Sequence, residues 1–330
     1  MKNILFIAVI TLLSYNANAQ QSFATTDPAY IKNVQAGEAA LNAEKYDSCL
    51  IYYEEAFKTK QTSVLSTLRG AACAYSANNT NTLNTYLDVA FELNWDMAKS
   101  IFDTYEEFTY LSGTPFEDTI LRRWRQSAED AGINIELMLE LKVISMTDQM
   151  QRREMRSVTE QYGWDSPQMD SLWALQNYSD SVNMIRIEEI IEEYGYPGRS
   201  LVGPRQGSTA FMVIQHSTQE MQEKYLPLLK EQADKGEVRW SSIALMIDRV
   251  LLGKGEKQIY GSQVYTDEKT GELYFGEIEN PHKIDSIRNT VGLGTLQEYG
   301  NNWDIQWDPD KHIARHKKIK EEKDPKEKEK

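Results

Sequence analysis

An internal repeat between Tyr30 and Trp95 is the feature that most constrains the fold of this chain. Residues spaced 34 positions apart share their size and polarity. Positions 40 and 74, and again positions 56 and 90, are alanine, while Cys49 and Tyr53 recur as Leu83 and Leu87. Small residues at one set of positions and large apolar residues at another predict pairs of closely packed helices. The segment is therefore expected to form repeated helix–turn–helix units.

The repeat resembles the tetratricopeptide repeat, whose unit is a helix–turn–helix of 34 residues. The segment Tyr46–Phe57 is the clearest match to its second helix, and a degenerate third pair is expected near Gly113-Thr114-Pro115. We assign tetratricopeptide-like helical repeats to residues 24–125. About three such repeats are needed to bury their apolar faces, so we expect these repeats to pack on the domain that follows.

The rest of the chain is predicted to be a helical domain over residues 130–305. Apolar residues follow helical spacing over 133–162 and 166–193, and Gly195 and Pro197 predict the end of the second helix. Residues 258–278 alternate in polarity around a turn at 267–271, which predicts one β-hairpin. The predicted fold class is mainly α, with tetratricopeptide-like repeats packed on a helical domain that carries one β-hairpin.

The first residues have the pattern of an export signal. Lys2 is followed by an apolar run over residues 4–13 and by Ala17-Asn18-Ala19, a small-residue cleavage site. The run is too short to span a bilayer as a helix, and no later run is long enough. We expect a signal peptide over residues 1–19, cleaved near Ala19, a periplasmic or secreted protein, and no stable membrane insertion.

Charge excludes one class of partner. The formal net charge is −14, although the last twenty residues, 311–330, are rich in lysine. A strongly acidic body repels phosphate backbones, so we expect no nucleic-acid binding. The tail has almost nothing to bury, and we expect residues 311–330 to be a disordered charged extension.

Cys49 and Cys73 are the only cysteines. Both lie in apolar, helix-like surroundings, where a free cysteine packs as a small hydrophobic residue. Export would permit one disulfide bond between them. We expect unpaired packing residues, with a single bridge as the alternative.

The candidate functional residues are polar groups that interrupt apolar segments. His216 follows the apolar run Phe211–Ile214, and it is the candidate acid–base group because an imidazole can take up and release a proton near neutral pH. Tyr260 is a second candidate catalytic residue. The candidate ligand-binding residues are Asp148, Arg152, Gln215, Asp248, Arg249, Gln258 and Gln263. A structural role is the alternative for each, and for Asp248-Arg249 it is the preferred one.

Several known signatures are absent from the sequence. The loop Gly198–Arg205 has two glycines five apart, but Pro204-Arg205 replaces the lysine and hydroxyl residue of a phosphate loop. The same loop lacks the glycine spacing of a nucleophile elbow. No His-Glu-x-x-His motif is present, and no cysteine accompanies the polar residues. We therefore expect no cofactor and no metal site.

Taken together, the polar motifs resemble an uncharacterised bacterial family, the domain of unknown function numbered 6624, over about residues 140–300. The matching residues are Asp148, Arg152, Gly195-Tyr196-Pro197, Gln215-His216, Asp248-Arg249, Tyr260–Gln263, Ile278–Pro281 and Val291–Leu293. The family more often has Gly-Trp-Pro and Glu-Asp-Pro where this chain has Tyr196 and Asn280. The resemblance implies a shared fold and site, and it implies no activity.

Two functions fit these observations. In the first, His216, Arg249, Tyr260 and Gln263 converge on a polar pocket, with Asp148 and Arg152 at its wall, that binds a small polar or anionic ligand. Metal-independent acid–base or hydrolytic chemistry at His216 is then possible. In the second, the chain is a non-catalytic exported interaction protein whose repeats bind a peptide or protein partner.

Overall fold

The computed structural model describes residues 24–267 and 269–323. The fold is mainly α, as predicted, and the chain divides into two compact units. One unit comprises residues 24–138 and 201–205 of the described chain, and the other comprises residues 139–200 and 206–323. The predicted signal peptide lies outside the described residues. No described helix is long and apolar enough to cross a membrane.

The first unit is built from successive helices that pack on one another along the chain. Extended backbone at Asn94 divides α4, and the Asn94 side chain accepts a hydrogen bond from the Met97 amide to begin the second half. The helices are α1 Pro28–Asn42, α2 Tyr46–Thr59, α3 Val64–Ser76, α4 Thr80–Thr104 and α5 Pro115–Asp130.

The turn between paired helices recurs at the predicted spacing. Glu44 adopts a positive φ of 56° between α1 and α2, and Asn78 adopts a φ of 57° between α3 and α4. The main-chain amides of Lys45 and Asn79 each donate a hydrogen bond to the carbonyl of the residue five positions earlier. The donor–acceptor distances are 2.9 Å to Ala40 and 2.8 Å to Ala74. The same helix ending therefore appears twice, 34 positions apart. The assignment of these helix pairs to the tetratricopeptide repeat stays a prediction.

Close packing between the paired helices depends on glycine. A Cβ atom at Gly37 of α1 would lie 2.8 Å from the ring of Tyr53 in α2, and one at Gly70 of α3 would lie 3.0 Å from the ring of Tyr86 in α4. Both tyrosines are buried. Each glycine leaves room for an aromatic ring from its partner helix.

The expectation of unpaired cysteines is wrong. Cys49 in α2 and Cys73 in α3 form a disulfide bond, with their Cα atoms 5.9 Å apart. Both residues are fully buried where these two helices pack against each other. The apolar surroundings that indicated free cysteines are the interface that brings the two sulfur atoms together.

In the second unit, long helices precede a group of shorter elements. The end of α7 is confirmed, because Gly195 follows it with a φ of 77°. The helices are α6 Ile135–Tyr162, α7 Pro167–Tyr194, α8 Arg199–Gln206, α9 Thr209–His216, α10 Gln219–Asp234, α11 Trp240–Gly253, α12 Ile284–Asn289, α13 Leu296–Gly300 and α14 Pro309–Lys323. The division between the two units falls within α6 and α8.

The predicted hairpin is present but shorter than residues 258–278. Its antiparallel strands are β1 Val264–Thr266 and β2 Leu273–Phe275, with Tyr265 opposite Tyr274. Farther out, only an isolated bridge joins Gln258 and Ile278. Residues 259–262 are not paired with the opposite strand. Three of their main-chain amides instead donate hydrogen bonds to the Asp248 carboxylate.

The expectation of a disordered tail over residues 311–330 is wrong for residues 311–323, which belong to α14. Two buried histidines hold this helix. His312 Nε2 accepts a hydrogen bond of 3.2 Å from the Ile278 amide, and His316 Nε2 lies 2.9 Å from the Phe275 carbonyl. Residues 324–330 lie outside the described part of the chain.

Loss of the disulfide should destabilise the protein. Replacing Cys49 and Cys73 with alanine opens a link between residues separated by 24 positions. We expect the free energy of unfolding to fall by about 3 kcal/mol, measured by denaturant titration. A reducing agent should lower the stability of the native protein by a similar amount and leave the double variant unchanged. A native protein insensitive to reduction would contradict the bridge.

Protonation of His312 should weaken the attachment of α14. The pKa of His312 is lowered to about 4, mainly by burial and to a smaller extent by the neighbouring His316, against an opposing effect of Glu277. Because the unfolded pKa is near 6.5, the stabilisation is complete above that pH and is lost as the pH falls towards 4. The loss should reach about 3 kcal/mol. Replacing His312 with glutamine, which keeps an acceptor but does not titrate, should remove most of this pH dependence of unfolding. An unchanged pH profile would refute the role of His312.

Candidate functional site

A histidine–aspartate pair joins α9 to α6 in the second unit. His216 is the last residue of α9, and Asp148 lies in the middle of α6. His216 Nδ1 is 2.9 Å from Asp148 Oδ1 and 3.0 Å from Oδ2. An ionised carboxylate only accepts hydrogen bonds, so Nδ1 carries the proton and Nε2 keeps its lone pair in the neutral ring. Nε2 has no hydrogen-bond partner among the described residues, and the side chain is 12% exposed.

The carboxylate of Asp148 is completely buried and multiply hydrogen-bonded. It accepts a bond of 2.6 Å from Gln149 Nε2, and Arg152 Nη1 lies 3.4 Å from Oδ2. Burial by itself would raise the pKa of Asp148. The hydrogen bond from His216 and the positive charges of His216 and Arg152 outweigh burial, and the pKa lies below its ordinary value. Asp148 is therefore ionised at neutral pH and fixes the orientation of the imidazole.

Residues of α7 hold Arg152 in turn. Both terminal nitrogens of Arg152 donate to Asp180, at 2.8 and 2.7 Å. Gln176 Nε2 donates to the same carboxylate at 2.8 Å and to the main-chain carbonyl of Asp148 at 3.1 Å. The observed contacts of Arg152 are therefore with protein groups that hold Asp148 in place.

Arg249, in α11, lies beside the His216 segment. Its Nη1 donates a 3.0 Å hydrogen bond to the carbonyl of Gln215, which also accepts a 2.9 Å bond from Gln222 Nε2. Arg249 forms no ion pair with any residue in 24–267 or 269–323. Burial lowers the pKa of its guanidinium, while Tyr299 has a smaller opposing effect. A partly desolvated cation without an acidic partner favours contact with an anion.

Asp248 organises the loop that contains Tyr260. Its two oxygens accept hydrogen bonds of 2.8–2.9 Å from the amides of Ile259, Tyr260 and Ser262. Burial raises the pKa of Asp248, although the three amides oppose the change. Because the carboxylate is fully buried and used by the main chain, its observed contacts are structural.

Arg288 and Tyr299 hold the other side of this loop. Arg288 Nη1 donates to the Tyr260 carbonyl at 2.7 Å, and its Nε donates to the Gly294 carbonyl at 2.7 Å. The guanidinium lies 5.1 Å from the centre of the Tyr299 ring, and Tyr299 Oη donates to the Ser262 carbonyl at 3.0 Å. Like Arg249, Arg288 has no ion-pair partner within the described residues.

Two of the three candidate glutamines, Gln258 and Gln263, lie at the hairpin. Gln258 is fully buried and donates to the carbonyls of Gln263 and Gly276, while its own carbonyl oxygen accepts from the Gln263 amide at 2.7 Å. The Gln263 side chain donates to Ser262 Oγ at 3.0 Å. These contacts give Gln258 a structural role. By contrast, the hydroxyl of Tyr260 forms no hydrogen bond with the described residues.

The structure connects the predicted site residues through three neighbouring contacts. Asp148 bonds directly to His216, the adjacent residue Gln215 binds Arg249 through its carbonyl, and Asp248 next to Arg249 holds the Tyr260 loop. Sequence reasoning placed Asp148 only at a pocket wall, and it missed Gln176, Asp180, Arg288 and Tyr299. Polar residues within the apolar face of α7, at positions 176, 180 and 183, were the available signal for the first two.

No group of three or more histidine, cysteine, aspartate or glutamate side chains with the arrangement of a metal site occurs in residues 24–267 and 269–323.

Replacing Asp148 with asparagine should destabilise the protein in a pH-dependent way. At neutral pH the variant loses the charge that pairs with His216 and Arg152, at a cost of about 3 kcal/mol. Because the folded pKa of Asp148 is lowered, its contribution is present above the unfolded value near 3.9 and is lost as the pH falls through the folded value.

Denaturant titration from pH 7 to pH 2 should therefore show a stability difference between the native protein and the Asp148 variant that is constant down to about pH 4 and shrinks below it. Replacing Asp165, an exposed aspartate, with asparagine should have little effect at any pH. Equal stability of the native protein and the Asp148 variant at pH 7 would disprove the stabilising role of the pair.

Comparison with known families assigns the second half of the chain. Residues 136–305 match the family model described as "Family of unknown function (DUF6624)", and this region contains α6–α13, the hairpin and every candidate site residue. No curated protein and no solved structure matches the chain. The matched region covers more than half of the sequence, and the chain belongs to the DUF6624 family.

Proposed function

We propose that this protein binds a small anionic ligand beside His216 and that His216 acts on it as an acid–base group. The observation that carries the proposal is the Asp148–His216 pair, in which Nδ1 is fixed by a buried carboxylate and Nε2 has no hydrogen-bond partner in the described part of the chain. A histidine held in this way accepts a proton at Nε2 and later returns it. Asp148 stabilises the imidazolium that forms and is itself not protonated.

Arg249 supports the anionic character of the ligand. Arg249 donates a hydrogen bond to the carbonyl of Gln215, the residue before His216, and no acidic side chain among the described residues forms an ion pair with it. A carboxylate or a phosphate group matches the planar donor arrangement of a guanidinium. Arg288 of α12 adds a positive charge beside the Tyr260 loop, with no ion-pair partner among the described residues. The Tyr260 hydroxyl, which has no hydrogen-bond partner in the described chain, can donate to the ligand.

The division of roles follows from the contacts. Arg249 and Tyr260 bind and orient the anion, and His216 moves the proton. Asp148 orients His216, and Arg152 with Asp180 keeps Asp148 in place. Asp248, Gln258 and Arg288 fix the loop that presents Tyr260. General acid–base catalysis by one residue contributes about 10²–10⁴-fold to a rate.

We also propose that the protein is exported. The signal-like first residues and the buried Cys49–Cys73 bridge both support a periplasmic or secreted location, because disulfide bonds persist in oxidising compartments. The tetratricopeptide-like repeats, whose turn recurs between the helix pairs, support the alternative function of binding a peptide or protein partner.

Anion binding is tested by calorimetric titration of the mature protein with inorganic phosphate and with succinate. We expect binding of at least one of them, and replacing Arg249 with glutamine should weaken it by about tenfold or more. Replacing Arg156, an exposed arginine of α6, with glutamine is the matched control and should leave binding unchanged.

The acid–base role is tested separately, with a panel of small carboxylate and phosphate esters. Replacing His216 with glutamine should preserve anion binding and reduce turnover of any accepted ester by about 10²-fold or more. If the native protein binds neither anion and turns over no ester, the proposal is wrong and the interaction-protein alternative is favoured.

A further inference from the structure

Helix α6 exposes a stripe of apolar side chains on the side opposite its buried residues. The α6 stripe consists of Leu139, Val143, Met146 and Met150, whose exposed fractions are 44–59%. The buried residues Leu141 and Asp148 lie about half a helical turn away from it. The stripe is therefore not part of the core of this unit.

Helix α7 has a second stripe of the same kind. The α7 stripe consists of Leu175, Tyr178, Val182 and Ile185, with exposed fractions of 47–72%. Its buried residues, such as Asn183 and Ile187, again lie on the opposite side of the helix. A surface helix of a soluble protein normally places polar residues at these positions.

The spacing of both stripes is that of a coiled coil. Successive members are three or four residues apart, which is the alternation that keeps an apolar line facing a neighbouring helix. The two helices are joined to each other by the Arg152–Asp180 and Arg186–Glu140 ion pairs. We propose that a second copy of this chain covers both stripes, so that α6 and α7 of two copies form a four-helix interface.

The exposed area is sufficient for a stable dimer. The eight side chains are 44–72% exposed, which corresponds to roughly 800 Å² of surface and equals what each partner buries in an interface of standard size. Exposed apolar patches of this size on a soluble protein mark interaction surfaces.

Symmetry and charge select a second copy in antiparallel orientation. A two-fold axis between Ile144 and Ser145 places Leu139 opposite Met150 and Val143 opposite Met146 of the other copy. The same axis places Glu136 opposite Arg153, three residues beyond each end of the α6 stripe. Both residues are exposed, and neither forms an ion pair within the described chain. Two complementary pairs therefore flank the apolar contact, as flanking charges do in coiled coils.

Sedimentation equilibrium of the mature, full-length chain tests the proposal. We expect a dimer at about 10 µM, and replacing Val143 with glutamate should weaken dimerisation by about a hundredfold because it buries two unpaired charges. Replacing Ile51, an exposed isoleucine of α2 with an exposed fraction of 58%, with glutamate is the matched control. Circular dichroism establishes that each variant keeps its helices.

A charge swap tests the orientation. Replacing Glu136 with arginine should weaken the dimer by about three- to tenfold, and adding Arg153→Glu to the same chain should restore it. A native chain that is monomeric at about 100 µM would overturn the proposal, as would equal effects of the Val143 and Ile51 variants. Failure of the double variant to restore the dimer would overturn the antiparallel arrangement.

Discussion

Burial of the Asp148 carboxylate is the constraint on which the family region depends. An ionised group without access to water must be compensated by protein charges and hydrogen bonds. Here the compensation comes from three helices: Arg152 and Gln149 on α6, His216 at the end of α9, and, through Arg152, Asp180 and Gln176 on α7. The same contacts that satisfy the carboxylate fix the imidazole of His216. Stability and the geometry of the candidate site therefore have a common origin.

A second buried carboxylate, that of Asp248, stabilises the irregular main chain of residues 259–262. Asp248 takes the amides of residues 259, 260 and 262, which would otherwise be unpaired where the chain leaves the β ladder. Arg288 and Tyr299 take carbonyls from the same loop. The loop is held through its main chain, so the Tyr260 hydroxyl forms no hydrogen bond with the described residues. Arg249 is the neighbouring cation. A rigid loop held by structural charges is a suitable support for a ligand site.

The sequence predicted helices well where apolar periodicity is long and the ends are marked. The end of α7 at Gly195 and the recurring turns near residues 44 and 78 follow from local chemistry. Local sequence patterns could not predict the Cys49–Cys73 bridge or the packing of α14, because both depend on which elements contact each other in the folded chain. His312 and His316 occur in a lysine-rich segment whose composition indicates a disordered tail, yet their rings are buried against the hairpin. The partner of His216 is likewise 68 residues away in the chain.

The central claim is that Asp148 holds His216 with its proton on Nδ1 and its Nε2 available. The most direct measurement is nitrogen-15 NMR of the histidine side chains in the native protein and in the Asp148→Asn variant, near pH 8. The account predicts that neutral His216 is the Nδ1–H tautomer in the native protein and that the tautomer population shifts when Asp148 loses its charge. A native protein in which neutral His216 carries its proton on Nε2 would contradict the account.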